Sequence, residues 1–319
     1  MMKSLLAASC TLSLLACVQQ DATPQEIDRA IPTSDQVSIK LKDSTTSART
    51  LSGEQDAIGQ LATWYVATRD VTRTFNGGAV WVLTLIHQIV QTPATTVKGD
   101  TFTWGPGSKP LDPADYKLEV QALADGTYSY KLSGRSKTQA NAQFEVVISG
   151  TADPRAGEDK GTGEFTIDFD AGKRINPIDS SDAKGLVDVT YDLAKHHLDL
   201  TIMSTDALGH PVNADYAYNE AADGGGDMTF DVSGDAGGGP KLETITLRSR
   251  WLANGSGRAD ARIAGGDLGA LQATASECWD IGFKRVFYID ALTNGGTLSA
   301  SEGQESACAF ATADLPLPK

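Results

Sequence analysis

The chain reads as a mainly β protein with two N-terminal helices, in which a large curved antiparallel meander sheet, half-barrel-like, covers a buried helix. Three observations predict this. Ala79–Val90 is the only long apolar run in the body of the 319-residue chain. From Thr95 onward the apolar period changes from 3.6 to 2, the spacing of a strand with one buried face. Ten or more such segments then follow one another, and their common apolar face needs a cover.

The apolar run carries a narrow polar stripe, Thr84, His87, Gln88 and Gln91, while Val82, Leu83, Ile86, Ile89 and Val90 leave the other faces apolar. A helix of that kind wants burial on most sides. Its twelve residues reach roughly 18 Å, well short of the ~30 Å core of a bilayer. It therefore reads as a core helix and not as a membrane span.

In chain order, Met1–Ala16 has an early Lys3, an apolar stretch from Leu5 and small residues before Cys17, the pattern of a secretion signal over residues 1–16. Leu14-Leu15-Ala16-Cys17 resembles the lipobox of bacterial lipoproteins. The resemblance implies cleavage before Cys17, diacylation of its thiol and acylation of the new amino terminus. Val18 stands where inner-membrane retention in many Gram-negative bacteria is associated with aspartate. That implies a lipid anchor in the outer membrane of a Gram-negative bacterium, on its periplasmic side or at the cell surface. An ordinary cleaved signal and an uncleaved anchor are the other readings.

Residues 17–51 are rich in Gln, Asp, Thr, Ser and Pro and read as a flexible tether, with Val37–Lys42 alternating as one edge strand might. Residues 52–319 then form one domain. Ser52-Gly-Glu-Gln55 has the spacing of a capping box, so a first helix should start there. Ile58, Leu61, Ala62 and Tyr65 continue its stripe, and Asn76-Gly77-Gly78 should stop it in the left-handed conformation. The second helix follows at once and ends near Thr92-Pro93. So short a join makes the two an antiparallel pair or a sharp corner.

The strands follow. Tyr116, Leu118 and Val120 share one face; Tyr128, Tyr130 and Leu132 come after the Asp125-Gly126 hairpin signal. Phe144, Val146 and Ile148, then Phe165, Ile167 and Phe169, then Val187, Val189 and Tyr191 repeat the pattern. Leu198 to Ile202, Met228 to Val232, Ile245 to Trp251, Ala259 to Ile263 and Leu271 to Ala275 extend it, and Phe283 to Ile289 closes it. Cys278 and Cys308 remain once Cys17 is lipidated, and an oxidising compartment makes a disulfide their natural pairing, with two buried free thiols as the alternative.

A curved sheet holding helices in its hollow on a lipid-anchored tether resembles the LolA-like half-barrel envelope proteins that carry or bind lipids, a likeness of layout over Ser52–Phe310. The Glu277-Cys-Trp-Asp280 cluster is similar to one in uncharacterised Gram-negative lipoproteins, which implies no activity.

His196-His197 are adjacent strand residues on opposite faces and cannot share an ion. His210 lies in a turn, and His87 on the polar stripe reads as a hydrogen-bonded structural histidine. Asp168 with Asp170, and Asp188 with Asp192, read as solvated strand faces. No Gly-x-Ser-x-Gly elbow, phosphate loop or His-Glu-x-x-His is present, so neither a cofactor nor a metal site is expected. The net charge of -14 would repel nucleic acid. Two functions remain: a non-enzymatic envelope lipoprotein with a structural or interaction role and a protein partner, or a binder of a lipid or other apolar ligand in the hollow. For the second, Trp81, Phe102 and Trp104 are the candidate ligand-binding residues.

Overall fold

A computed structural model describes residues 24–42, 57–108, 110–178, 184–205, 209, 211–234, 241–293 and 300–316, with the side chains of residues 24–25, 74 and 77–82 outside the description. Fifteen strands form one open antiparallel sheet in which each strand pairs with the next in sequence. Their order is β1 (Thr96–Lys98), β2 (Thr101–Gly107), β3 (Ala114–Ala122), β4 (Tyr128–Ser136), β5 (Glu145–Asp153), β6 (Thr162–Asp168), β7 (Leu186–Asp192), β8 (His197–Thr205), β9 (Pro211–Glu220), β10 (Gly226–Gly234), β11 (Glu243–Trp251), β12 (Gly257–Ala264), β13 (Gln272–Trp279), β14 (Arg285–Leu292) and β15 (Ser301–Gly303). Against it lie α1 (Pro24–Ala30) and α2 (Thr63–Val90); a short α3 (Phe169–Ile175) follows β6.

The period-2 residues make the inner face. Leu118, Tyr130, Ile148, Phe165, Val189, Leu200, Tyr216, Met228 and Leu247 are buried in one cluster with Tyr65, Leu83, Ile86 and Val90 of α2. The sheet thus covers a buried helix, a mainly β half-barrel of the kind the alternation predicts.

Five local expectations are corrected. A first helix from Ser52 and a stop at Asn76-Gly77-Gly78 are replaced by a single helix of 28 residues that starts at Thr63 and runs through the glycines. Residues 52–55 of the capping box lie outside the described residues, and Ile58 to Ala62 are not helical. Asn76 instead spends its side chain on Ile39, donating from Nδ2 to the Ile39 carbonyl and accepting the Ile39 N–H at Oδ1, both at 2.9 Å. The burial of the helix outweighs the cost of its glycines, roughly 1 kcal/mol each.

The tether reading fails for residues 24–42. Ile27, Ile31, Val37 and Ile39 are at most 3% exposed and belong to the main core. Nor is Val37–Lys42 an edge strand: its alternation is real, but Val37 closes a turn and residues 38–42 have no place in the sheet. The rest of the 17–51 reading, like Cys17 and the signal, lies outside the described residues.

On β5, Val146 was expected inward but is 40% exposed, while Val147 is 1%. A register shift between Leu132 and Ser133 inserts Val147 as a bulge. Val147 then packs with Ala114 and Ile175. Finally, Phe169 and Asp170 leave the strand because Asp168 caps α3, accepting the Ala171 N–H at 2.8 Å. Gly134 permits that helix to close: a Cβ there would stand 2.1 Å from Ile175 Cδ1.

Candidate functional site

The hollow holds the residues proposed for an apolar ligand, and it is packed. Phe102 and Trp104 are 5% and 3% exposed and stack with ring centroids 6.3 Å apart. The Trp104 indole donates to the Thr92 carbonyl at 2.7 Å, which ties β2 to the end of α2. Trp81 lies on α2, with its side chain outside the described residues. Phe102 and Trp104 therefore act together as core, where the sequence allowed them to line an open cavity. Within this core the buried hydroxyls of Tyr130 and Tyr191 find no hydrogen-bond partner among the described residues. Burial pushes both phenols well above their ordinary pKa.

The larger concavity is on the other face. A trough of about 760 Å³ crosses the outward side of β3–β7. Strand alternation puts Glu119 and Gln121 there from β3, Ser129 and Lys131 from β4, and Ser149 and Thr151 from β5. Glu164 and Thr166 of β6 and Asp188 and Thr190 of β7 complete it. The register sets these side chains in rows: Lys131 opposes both Glu119 and Ser149, and Thr166 opposes both Ser149 and Asp188. Glu119 pairs with Lys117 at 3.0 Å and Lys131 at 3.7 Å, and Asp188 accepts from the Thr166 hydroxyl at 2.5 Å. The trough walls carry three carboxylates and one ammonium group. The alternation revealed a polar face; that it is concave depends on sheet curvature, for which no residue signal stood out.

A second cleft, about 450 Å³, lies between α1, the turn after it and the polar stripe of α2. Thr84, His87, Gln88 and Gln91 all line it, so the stripe has its explanation. His87 Nδ1 meets Asp28 Oδ1 at 2.9 Å and Nε2 meets the Pro32 carbonyl at 3.1 Å. Both ring nitrogens are engaged, leaving neither to serve as a general base. His87 is the hydrogen-bonded structural histidine the stripe suggested.

The Glu277-Cys-Trp-Asp280 cluster joins helix, sheet and C-terminal segment. α2 begins at Thr63, and Ala62 in the capping position before it has no side chain able to cap it. Glu277 of β13 supplies one, accepting the Thr63 N–H at 3.2 Å and the Trp64 N–H at 2.5 Å. Arg285 Nε donates to the same carboxylate at 2.5 Å, and the Glu277 and Arg285 side chains are 0% and 4% exposed. Burial pushes the Glu277 carboxyl up, while Arg285 and the two amides pull the other way. The Trp279 indole donates to the Gly255 carbonyl at 2.8 Å, and Asp280 Oδ1 accepts the N–H groups of Gly282 and Lys284. Cys278 is bonded to Cys308, as expected. Beside that bridge Arg258, on the outer face of β12, bonds the Phe310 carbonyl and Glu305. Thus the C-terminal segment covers a charged patch of the sheet.

His197 contacts Asp199 and Asn219, each at 2.7 Å, on an exposed face, and His210 lies outside the described residues. Among the described residues, no group of three or more His, Cys, Asp or Glu could hold a metal ion. Nor, among the described residues, is any helix long and apolar enough to cross a membrane.

These features define a mainly β protein: an open meander sheet packed on one helix, with a polar trough on its free face. No protein-family model matches the chain, no curated protein is similar to it, and no solved structure matches its fold.

Proposed function

We propose that the protein is a lipid-anchored envelope lipoprotein, held to the outer membrane through acylated Cys17, that acts by binding a polar partner and not by turnover. The observation that carries this reading is the trough over β3–β7, about 760 Å³, whose outward side chains are mainly hydroxyls and carboxylates. Its three acids against one base favour a partner with positive charge. The Glu164 carboxylate has no ion pair or hydrogen bond among the described residues and is free to meet such a partner. Carriage of an apolar ligand has less support, because Phe102 and Trp104 are committed to the core. The acidic chain also disfavours a nucleic-acid partner.

The test uses a photo-crosslinking residue at Thr151, in the trough, in whole cells. Discrete adducts that vanish with Glu164→Lys support the reading. Adducts that are absent, or indifferent to that charge reversal, refute it. Separately, Cys17→Ser should abolish acylation and release the protein from membranes. Retention of the mutant after a carbonate wash would remove the lipid anchor from the account.

A further inference from the structure

Residues 37–42 lie in the hollow as a peptide lies in a receptor. Backbone groups of Ile39, Lys40 and Lys42 are met by side chains, where a strand's would be met by another strand. Asn76 bonds both the N–H and the carbonyl of Ile39, so its amide stands in for the peptide group of a neighbouring strand. The Lys40 N–H donates to the Tyr218 hydroxyl at 3.1 Å, and the Lys40 carbonyl accepts from the Trp251 indole at 3.2 Å. The Tyr65 hydroxyl donates to the Lys42 carbonyl at 3.1 Å. Trp251 can lie flat across the neighbouring strand because Gly226 opposes it: a Cβ at Gly226 would stand 2.8 Å from the Trp251 ring.

Such contacts read backbone and alternation, not side-chain identity. Val37 and Ile39 enter the core at 0% and 3% exposure, while Ser38 and Lys40 point away from it. Lys40 reaches Glu220 at 3.3 Å, which adds a preference for a cation at the position after the second apolar residue.

We propose that this groove is a recognition site for extended polypeptide, filled at rest by the protein's own residues 37–42. Its occupant in trans is a segment of another chain with apolar residues at alternate positions and lysine between them. The resident segment wins while it stays in place, since a short linkage gives it an effective concentration on the order of millimolar. The groove is on the opposite face of the sheet from the trough. Failure here therefore leaves the reading of the outer face untouched.

The test uses the full chain carrying Val37→Asp and Ile39→Asp, which makes the resident segment unfit for the core. A synthetic peptide of residues 34–42 is titrated in, beside the same peptide with Ile39→Pro, which lacks the N–H that Asn76 accepts. The expected result is a saturable rise in melting temperature, with the proline peptide at least tenfold weaker. A folded variant indifferent to millimolar peptide overturns the proposal. So does equal stabilisation by oleate, which would assign the vacated groove to an apolar chain. Should the variant not fold, hydrogen exchange on the wild type decides. Ile39 and Lys40 amides exchanging at least tenfold faster than those of Met228 and Leu247 support a releasable segment, and exchange at the common rate overturns it.

Discussion

Removing the Glu277 carboxylate tests the logic by which this sheet holds its helix. In Glu277→Ala, Arg285 keeps its charge at 4% exposure and loses the partner at 2.5 Å. Losing one member of a buried pair costs about 3–5 kcal/mol. The Thr63 and Trp64 amides also lose their acceptor, and a helix cap is worth about 1 kcal/mol. The two losses share one group and do not add in full, so the expected total stays at about 3–5 kcal/mol. Urea denaturation near neutral pH, followed by far-UV circular dichroism, reads it. Glu277→Leu combined with Arg285→Met should recover most of the loss, since the stranded charge is removed with its partner. A cost below about 1 kcal/mol for Glu277→Ala, or a double variant no better than the single, would refute the reasoning.

Other expectations follow from the same packing. Ile86 is fully buried, so Ile86→Ala should cost about 2–5 kcal/mol in thermal or urea melts; Ile86→Asp should prevent folding, while Gln91→Asp on the polar stripe should be mild. Reducing the Cys278–Cys308 bridge, which spans 30 residues, should cost about 3–4 kcal/mol in the chain-entropy model, and alkylation without reductant should label neither cysteine. Tyr130→Phe removes a buried hydroxyl that has no partner among the described residues, so it should be neutral or slightly stabilising; a clear loss in melts would reveal a bound polar group. Burial pulls the His197 pKa down, but hydrogen bonds to Asp199 and Asn219 outweigh it and raise the value. The ring's stabilising contribution is therefore complete below the unfolded pKa of about 6.5 and lost as pH rises through the folded value. NMR titration should place the His197 midpoint above about 6.5, and Asp199→Asn should lower it.

The strand order was legible because one-sided burial writes period 2 directly into Leu118–Val120, Val187–Tyr191 and their successors. The pairing of Cys278 with Cys308 followed from the cysteine count and the expectation of an oxidising compartment. What stayed hidden depends on partners far away in sequence. Asn76-Gly77-Gly78 carries a proper local stop signal, yet α2 continues through it and Asn76 bonds Ile39, 37 residues earlier. The start of α2 is capped by a carboxylate more than 200 residues downstream, which no local capping pattern can announce. Residues 24–42 have few large apolar side chains, but Ile27, Ile31, Val37 and Ile39 all enter the core. Low apolar density describes a segment that cannot make a core alone; it does not prevent that segment from completing one. The polar trough was visible only as the outward half of the alternation, since strand patterns carry the face and not its curvature.

Native mass spectrometry of the protein taken from the envelope in mild detergent tests the central claim most directly. The account predicts a chain beginning at an acylated Cys17, two hydrogens lighter for the Cys278–Cys308 bridge, with no apolar ligand retained in the packed hollow. A stoichiometric lipid that is held in the native spectrum and lost on denaturation would contradict it.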